Sequence, residues 1–363
     1  MIPVTAQECY YSRPGFPWLY SPDPMSQTLA LKQQSSWQEL LAGALTDVPT
    51  LCRLLGIDSQ ALPAGHPLLA NFPLRVPAPY LARIEPGNPQ DPLLLQVFPA
   101  AAEALPAPGF SDQPLEEERA NPAPGILHKY HGRALLLVTA GCAINCRYCF
   151  RRHFPYQDNL PGRQAWQDSL DYIKEDTGIT EVIFSGGDPL TLPDRTLAWF
   201  LDALAAIDHV QRIRVHTRLP IMIPQRVTDE LCRILANPRF RTILVLHSNH
   251  AREFDADVDA ACARLKTAGL TLLNQSVLLR GVNDSVVALQ ALSERLFAAG
   301  ILPYYLHLLD RVTGAAHFDV LEAQAQDLMA GLRGVLPGYL VPKLVREIPG
   351  AAAKMPAGDP AAP

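Results

Sequence analysis

The sequence predicts an α/β fold built from a repeated strand–helix unit, and two observations support this. Between residues 133 and 333, short apolar runs alternate with amphipathic segments. The apolar runs are continuous rather than alternating in polarity, as expected for parallel strands that are covered on both faces. The first 110 residues contain many prolines, which favour irregular chain. Six strand–helix repeats predict a (β/α) barrel or a doubly wound sheet, with the active site at the C-terminal ends of the strands.

The first zone, residues 1–110, is predicted to be a helical and Pro-rich extension. The segment SWQELLAGALTDVPTLCRLLG predicts a helix, because Leu40, Leu41, Leu51, Leu54 and Leu55 can form an apolar stripe. The stretch ALPAPGFSDQPLEEERANPAPG predicts irregular connecting chain. We therefore assign the barrel to residues 111–336 and a C-terminal tail to residues 337–363.

The barrel zone contains six candidate strands and three helices with recognisable ends. One helix begins at Asp194, a second stops at Gly269, and a third begins near Asp284 or Ser285 and stops at Gly300. The candidate strands are ALLLVTAG, EVIFSGG, RIRVHTR, TILVLHSN, LLNQSVLL and LPYYLHLL.

Composition narrows the class of protein. The net charge of −5 argues against general nucleic-acid affinity. No basic N-terminus precedes an apolar segment and no apolar run approaches ~18 residues, so we expect a cytoplasmic protein. Of the seven cysteines, four are scattered singly and are predicted to be reduced and partly buried: Cys9, Cys52, Cys232 and Cys262.

The other three cysteines, Cys142, Cys146 and Cys149, lie in the stretch GCAINCRYCFRRHF after the first predicted strand. His153 could complete a Cys3His zinc site, so zinc remains one interpretation. The alternative is a [4Fe–4S] cluster, which usually takes four cysteines, so that one iron would lack a protein ligand. An open metal position is typical of a catalytic site. Tyr148 before the last cysteine, and the absence of a nearby CxxC partner pair, favour the cluster.

The spacing Cys-x3-Cys-x-aromatic-Cys after the first strand resembles the radical S-adenosylmethionine (SAM) superfamily. There SAM chelates the open iron, and an electron from the cluster releases a 5′-deoxyadenosyl radical. The segment FSGGDPL, with Gly186, Gly187 and Asp188, resembles the GGE-type motif of that superfamily, which contacts the amino group of SAM. The order of the two motifs makes the resemblance specific.

Longer segments are similar to the lysine 2,3-aminomutases, over roughly residues 125–356. The segment FPLRVPAPYLARIEPGNPQDPLLLQVFP and the short C-terminus resemble the EpmB branch, which makes (R)-β-lysine for modification of elongation factor P. The resemblance implies a partial (β/α)6 barrel, an isomerase acting on L-lysine, and a [4Fe–4S] cluster, SAM and pyridoxal 5′-phosphate (PLP) as cofactors. It also implies a flavodoxin- or ferredoxin-type electron donor, and a functional link to elongation factor P and its lysyl ligase. The matching segments are HKYHGRALLLVTAGCAINCRYCFRRHF, SGGDPL, HTRLPIMIPQRVT, NQSVLLRGVND and LPYYLHLLDRVTGAAHF.

The resemblance also implies which residues contact the cofactors. The tail REIPGAAAKMP matches the PLP-binding segment of the family, so Lys354 is the implied PLP lysine and catalytic residue. Alanines replace most of the glycines that the family has there. The resemblance also implies that Lys129 (where the family usually has Arg), Tyr130 and Arg218 form the PLP phosphate site. Gln275 is implied to contact SAM or PLP, and Tyr148 is a further implied cofactor contact.

The implied substrate contacts are one base and two acids. Arg151 is expected to bind the α-carboxylate, since a planar fork suits a carboxylate, whereas its neighbour Arg152 is predicted to be solvated. Asp310 and Glu347 are expected to bind the ε-ammonium, because a buried ammonium needs a carboxylate partner. The family has Asp where this chain has Glu347.

Alternatives remain open at this level. A 2,3-aminomutase for glutamate or arginine fits most of the same residues, and a non-catalytic Fe–S or zinc protein that binds a partner is a different class. Lysine-fermenting relatives bind zinc through a cysteine just after the GVND turn and a C-terminal extension. Here that position is Ser285, so we expect no structural zinc. His247 and His250 are interpreted as core histidines.

Overall fold

The computed structural model describes residues 36–58, 71–159 and 162–358. In this part of the chain, nine strands form one sheet in which every strand pairs with its neighbours in chain order. Strands β2 to β8 pair in parallel, whereas β1 and β9 are antiparallel to β2 and β8. The strands are β1 Ile126–Tyr130, β2 Arg133–Thr139, β3 Glu181–Gly186, β4 Arg212–Thr217, β5 Arg241–His247, β6 Thr271–Val277, β7 Leu302–His307, β8 Lys343–Arg346 and β9 Met355–Pro356.

The sheet confirms the predicted α/β fold and decides between its two forms. A doubly wound sheet reverses its strand order at a switch point, and this sheet does not. The six predicted strands coincide with β2 to β7. Since β1 and β9 form the two edges without pairing with each other, the structure is an open, partial barrel.

Helices follow most parallel strands and cover the outer face of the sheet. Ser285 caps α11, where its Oγ accepts from the N–H of Ala288. The helix predicted to begin at Asp194 has Pro193 as its N-cap residue. The helices are α1 Trp37–Ala42, α2 Val48–Leu55, α3 Ala78–Leu81, α4 Pro92–Leu95, α5 Tyr156–Asn159, α6 Arg163–Glu175, α7 Asp194–Ala205, α8 Leu219–Met222, α9 Asp229–Leu235, α10 Ala256–Thr267, α11 Val286–Ala298 and α12 Glu322–Val335.

The single helix predicted over SWQELLAGALTDVPTLCRLLG is instead two short helices, so that prediction is wrong. Helix α1 ends at the C-cap Gly43, and α2 begins after the N-cap Asp47, whose carboxylate accepts from the N–H of Thr50. Between them, Leu45 exchanges two backbone hydrogen bonds with Val76, at 2.8 and 2.9 Å. This pairing requires extended backbone, so the helix cannot continue through it.

The N-terminal extension packs into the same hydrophobic core as the barrel. Leu51 and Tyr80 of the extension are fully buried, in one cluster with Leu136 and Phe184 of the sheet. Buried apolar surface contributes about 25 cal/mol per Å2. Burial against the barrel therefore contributes to the stability of these short helices.

Two remaining predictions concern the single cysteines and the membrane. Cys232 and Cys262 are buried and Cys52 is half-buried, as predicted, whereas Cys9 lies outside the described residues. Among the helices of the described ranges, none combines the length and the hydropathy that crossing a bilayer requires. The expectation that no signal peptide is present concerns N-terminal residues that lie outside the described ranges.

Candidate active site

A cavity of about 310 Å3 opens on the inner face of the barrel. Its wall takes residues from β1 to β7 and from the segments that follow β2 and β8. The site residues predicted from the sequence all line this one cavity: Lys129, Tyr130, Cys142, Cys146, Tyr148, Cys149, Arg151, Gly186, Gly187, Asp188, Arg218, Gln275, Asp310, Glu347 and Lys354.

The three cysteines lie on the loop after β2, where the N–H of Cys149 donates to the carbonyl of Cys146 at 2.9 Å. Burial, together with the neighbouring thiols, raises the pKa of Cys142 well above its usual range and that of Cys149 to about 11. Three thiolates therefore need a cationic partner, which an iron–sulfur cluster supplies.

The three cysteines do not form a site for a single metal ion. In the described ranges, no three His, Cys, Asp or Glu side chains are close enough to share one metal ion. Each thiolate of a [4Fe–4S] cluster binds a different iron, so the cluster does not require such closeness. His153 instead has its Nε2 3.4 Å from the carbonyl of Thr313.

The turn after β3 fixes the position of the cysteine loop. The N–H of Gly187 donates to Thr139 at 2.6 Å, and that of Asp188 donates to Gly141 at 2.7 Å. A Cβ atom on Gly187 would clash with the carbonyl of Gly141, which directly precedes Cys142. Glycine is therefore required for this close approach.

Asp188 is buried and its carboxylate is fully engaged within the protein. It accepts from Thr217 Oγ1 and from the N–H groups of Leu190, Arg218 and Leu219, at 2.7–3.0 Å. Burial raises its pKa, and these hydrogen bonds oppose that effect. The side chain thus ties the turn after β3 to the end of β4.

Arg218, which was expected at the PLP phosphate site, contacts the cysteine loop. Its Nη1 is 2.8 Å from the Sγ of Cys146 and 2.6 Å from the hydroxyl of Tyr148. Its Nη2 donates to Gln96 at 2.6 Å and to Glu253 at 3.0 Å. This buried network holds a guanidinium against a sulfur atom of the predicted cluster site.

Lys354 reaches the cavity from the segment before β9 and forms an ion pair with Glu347. The Nζ of Lys354 is 2.7 Å from Oε2 of Glu347, and the Nζ of Lys129 is 2.8 Å from Oε1. Although burial acts in the opposite direction, Lys354 and Lys129 hold the pKa of Glu347 well below its usual range. Glu347 is therefore ionised and is shared by two lysines.

The chain of charges continues from Lys129 to Arg151 through Glu117. The Nζ of Lys129 is 2.9 Å from Oε1 of Glu117. Arg151 donates to both oxygens of Glu117, at 2.7 and 2.9 Å, and its Nη1 donates to Ser185 at 3.0 Å. Despite its burial, Arg151 and Lys129 lower the pKa of Glu117. Alternating charges thus connect Lys354 with the arginine beside the cysteine loop.

Asp310 follows β7 and lies in the same part of the cavity as Glu347. Burial raises its pKa to about 7, and the charge of Glu347 adds to this shift, while Lys354 and Lys129 oppose it. The charges of Lys354 and Lys129 therefore act on both Asp310 and Glu347. A cationic ligand at this position would relieve their repulsion.

Several cavity residues were missed by the sequence analysis. Glu117 stands in a run of glutamates that is typical of solvated chain. Arg133, His216 and His307 also line the cavity, and each has a buried nitrogen without a hydrogen-bond partner in the described part of the chain. Burial lowers the pKa of His216 and His307, so both are neutral. These unpaired nitrogens fit the phosphate group of PLP.

The sequence predictions for Arg152, His250 and His247 hold only in part. Arg152 was predicted to be solvated, and this is wrong, because it is buried and its Nη2 is 2.7 Å from Glu103. His250 caps a short turn by accepting from the N–H of Arg252, in agreement with a structural role. His247 was interpreted as a core histidine, but it lines the cavity, with its Nε2 3.3 Å from the hydroxyl of Tyr148. Burial lowers its pKa to about 3.

Comparisons with known proteins agree with this arrangement. Residues 136–290 match the Radical SAM superfamily. A Haemophilus influenzae protein named L-lysine 2,3-aminomutase is 49% identical over 326 residues, which cover 90% of this chain and 96% of that protein. The protein of that name from Escherichia coli is 51% identical, over 91% of this chain and 96% of its own length. The one from Clostridium subterminale is 38% identical, over 76% of this chain and 67% of its own.

Proposed function

Because the chain belongs to the L-lysine 2,3-aminomutase family of the radical SAM superfamily, we propose that it converts L-α-lysine to (R)-β-lysine by moving the amino group from C2 to C3. One cavity contains the cysteine loop, the amine of Lys354, and two acids. This shared location supports a radical aminomutase, since a radical source and an amine-handling group must act on the same substrate.

We assign each cofactor to a different group of residues in the cavity. The [4Fe–4S] cluster belongs with Cys142, Cys146 and Cys149, and SAM belongs beside the turn at Gly186 and Gly187. Bound SAM and the cluster supply a carbon-centred radical able to remove hydrogen from an unactivated carbon, and bound PLP supplies a conjugated ring through which an amino group migrates. The protein orients these groups and excludes water.

PLP belongs with Lys354, whose amine reaches the cavity. Lys129 and Tyr130 provide a cation and a hydroxyl for the phosphate, and the unpaired nitrogens of Arg133 and His307 support this assignment. Lys129 acts as a point charge rather than a bidentate fork. Gln275 lines the same wall from β6 and is proposed to contact SAM or PLP.

The substrate lies between Arg151 and the acids. Asp310 and Glu347 neutralise the ε-ammonium, which could not otherwise be buried. The Nε and one Nη2 hydrogen of Arg151 go to Glu117, and its Nη1 donates to Ser185 and Gly186. The remaining Nη2 hydrogen is the one that binds the α-carboxylate. Asp310 is the acid with more capacity for the substrate, because Glu347 already has two lysine partners.

The role of the product is proposed from the resemblance to the EpmB branch. (R)-β-Lysine would serve the lysyl ligase that modifies elongation factor P, and a flavodoxin- or ferredoxin-type protein would reduce the cluster. Supplying the product to that ligase with elongation factor P, and measuring the mass of the factor, tests this role separately from the isomerisation.

The direct test uses anaerobically reconstituted protein with SAM, PLP, a reductant and L-lysine. The expected product is (R)-β-lysine, identified by chiral chromatography against both enantiomers. L-Glutamate and L-arginine are offered in parallel as competitors. If glutamate or arginine is turned over faster than lysine, the chain is an aminomutase for that amino acid. If no amino acid is isomerised while SAM is cleaved, the aminomutase proposal fails.

A further inference from the structure

The described part of the N-terminal extension contacts the cysteine loop at several points. The Nε of Arg75 donates to the carbonyl of Cys142 at 2.9 Å, and the N–H of Asn145 donates to the carbonyl of Arg75 at 3.2 Å. The N–H of Arg147 donates to the carbonyl of Gln96 at 2.9 Å. Polar contacts from residues 72–103 therefore reach the backbone on both sides of Cys146.

The centre of this interface is a buried triad formed by Glu103, Arg147 and Arg152. Arg147 donates to both oxygens of Glu103, at 2.8 and 2.6 Å, and Arg152 donates to Oε2 at 2.7 Å. The three side chains are fully buried. Both guanidinium groups also stack on the ring of Phe72, at 4.8 and 4.9 Å.

The two arginines bracket the turn that carries two of the cysteines. Arg147 directly follows Cys146, and the N–H of Arg152 donates to the carbonyl of Cys149 at 3.2 Å. The Nη1 of Arg152 also donates to the carbonyl of Arg147 at 3.0 Å, which closes the turn on itself. One carboxylate from the extension thus fixes both ends of the Cys146–Cys149 turn.

The charges of the triad do not cancel. Two guanidinium groups face one carboxylate, so one positive charge remains in the protein interior behind the cysteine loop. The nearby His317 adds no charge, because burial lowers its pKa and the two arginines lower it further, against Glu103. A buried net charge is costly unless an opposite charge lies close by. A cluster held by three thiolates carries the opposite sign.

We propose that the N-terminal extension is part of the cluster site, with Glu103 as the positioning residue that fixes the Cys146–Cys149 turn and the net positive triad as the counter-charge of the cluster. The triad acts through the two arginines and touches no substrate. This proposal rests on the assignment of the three cysteines to the cluster, and it extends that assignment to residues far away in the sequence.

The test measures the cluster itself, in the full-length reconstituted protein without SAM, PLP or lysine. Glu103→Gln removes the negative charge of the triad. Arg152→Met removes one of its two positive charges and keeps an unbranched apolar side chain. Both should retain iron about 10–100-fold less tightly against a chelator, the usual cost of losing a partner of a metal ligand. The midpoint potential, followed by electron paramagnetic resonance, should rise in Glu103→Gln and fall in Arg152→Met.

Two further variants make the result decisive. Arg152→Lys keeps the charge but loses the planar fork, so it should lose iron yet keep the wild-type potential. If Glu103→Gln does not fold, the comparison of Arg152→Met with Arg152→Lys still isolates the charge. Asp259→Asn breaks the 2.7 Å pair with Arg295 between α10 and α11 and should change neither quantity.

Two outcomes overturn the proposal. Unchanged iron retention in both Glu103→Gln and Arg152→Met would show that the extension does not position the turn. Potential shifts of the same sign in both variants would show that the triad is not a counter-charge. If the wild-type protein itself binds no [4Fe–4S] cluster, the assignment of the cysteines fails instead, and the two failures are therefore distinguishable.

Discussion

The Nζ atom of Lys354 lies 2.7 Å from Oε2 of Glu347. The amine proposed to bind PLP and the acid proposed to bind the substrate ammonium are therefore direct partners. Because Glu347 also binds Lys129 at 2.8 Å, a change in any of these three side chains alters the charge that the other two experience.

Glu347→Gln is expected to weaken lysine turnover. The amide cannot neutralise an ammonium, and a buried charge-assisted contact is worth roughly 1.5–3 kcal/mol. This corresponds to about a 10–100-fold loss in kcat/KM for lysine. Glu347→Asp keeps the charge and should lose less. Glu322→Gln is a matched control outside the cavity, where Glu322 pairs with Arg346. Full activity of Glu347→Gln would remove this residue from the site.

The pKa of Asp310, raised to about 7 by burial and by Glu347, predicts a pH dependence. Below that pH the carboxyl is protonated and offers no charge to the substrate ammonium. We expect kcat/KM for lysine to increase as pH rises through about 7, and this limb to disappear in Asp310→Asn, whose turnover should be low throughout. A pH profile of both proteins checks this.

The same residue should affect stability with a defined sign. Because the folded state holds the proton up to about pH 7 and the unfolded state releases it near pH 4, Asp310 costs stability as pH rises through that window. Asp310→Asn should therefore raise the midpoint of thermal unfolding at pH 8 more than at pH 5. Equal shifts at both values would contradict the raised pKa.

Lys354→Ala should abolish turnover while leaving the iron content unchanged, because Lys354 contacts Glu347 rather than the cysteine loop. Borohydride reduction of the wild-type holoenzyme, followed by peptide mapping, should place the PLP adduct on Lys354. The exposed Lys343 of β8 provides a control, and Lys343→Ala should retain both adduct and activity. An adduct on Lys343 or Lys129 would show that the PLP lysine is wrongly assigned.

Gly187→Ala should disturb the cysteine loop without touching a cysteine. The added Cβ would overlap the carbonyl of Gly141 and the backbone of Ala140, and overpacking of this kind costs about 1–3 kcal/mol. We expect lower iron content and slower SAM cleavage, measured without lysine. Gly334→Ala meets no heavy atom within 4 Å and is the matched control. Normal SAM cleavage by Gly187→Ala would mean that the turn after β3 tolerates displacement.

Cys146→Ala should prevent assembly of the cluster, because each cysteine of the loop binds a separate iron. Cys262→Ala changes a cysteine buried in α10 and should leave iron content unchanged. Iron and sulfide analysis after anaerobic reconstitution checks both. Stoichiometric zinc without iron in the wild-type protein would favour the zinc interpretation.

The parts of the site that could be predicted from the sequence are those in which the chemistry imposes a local pattern. The three cysteines are close in the sequence because one short loop carries them. The turn at Gly187 can be recognised because only glycine allows its close approach to Gly141. The strands β2 to β7 were predictable because burial on both faces demands continuous apolar runs. Strands β8 and β9, with four and two residues, are too short to leave such a pattern.

The parts that could not be predicted depend on partners far away in the chain. Glu116 and Glu117 are adjacent and identical in type, yet Glu117 is buried, where it pairs with Lys129 and Arg151. Glu116 has a left-handed φ of 45° and pairs with the exposed Arg119. Arg152 resembles a solvated arginine until Glu103, 49 positions earlier, is placed beside it. Buried ion pairs of this kind leave no periodic signal in either segment.

Lys129 lies on the edge strand β1, and Glu347 directly follows β8, which is the strand next to the other edge, so their contact links the two sides of a sheet that backbone hydrogen bonds leave open. A side-chain ion pair therefore spans the side of the cavity that the strand pairing leaves open. If the Lys129–Glu347 contact opened, every hydrogen-bonded strand pair would stay intact. The free-energy cost of opening falls with ionic strength, because salt screens an ion pair whose side chains are 19% and 13% exposed. Because Glu347 also pairs with Lys354, occupancy of the active site and the strength of the Lys129–Glu347 contact are linked through the carboxylate of Glu347.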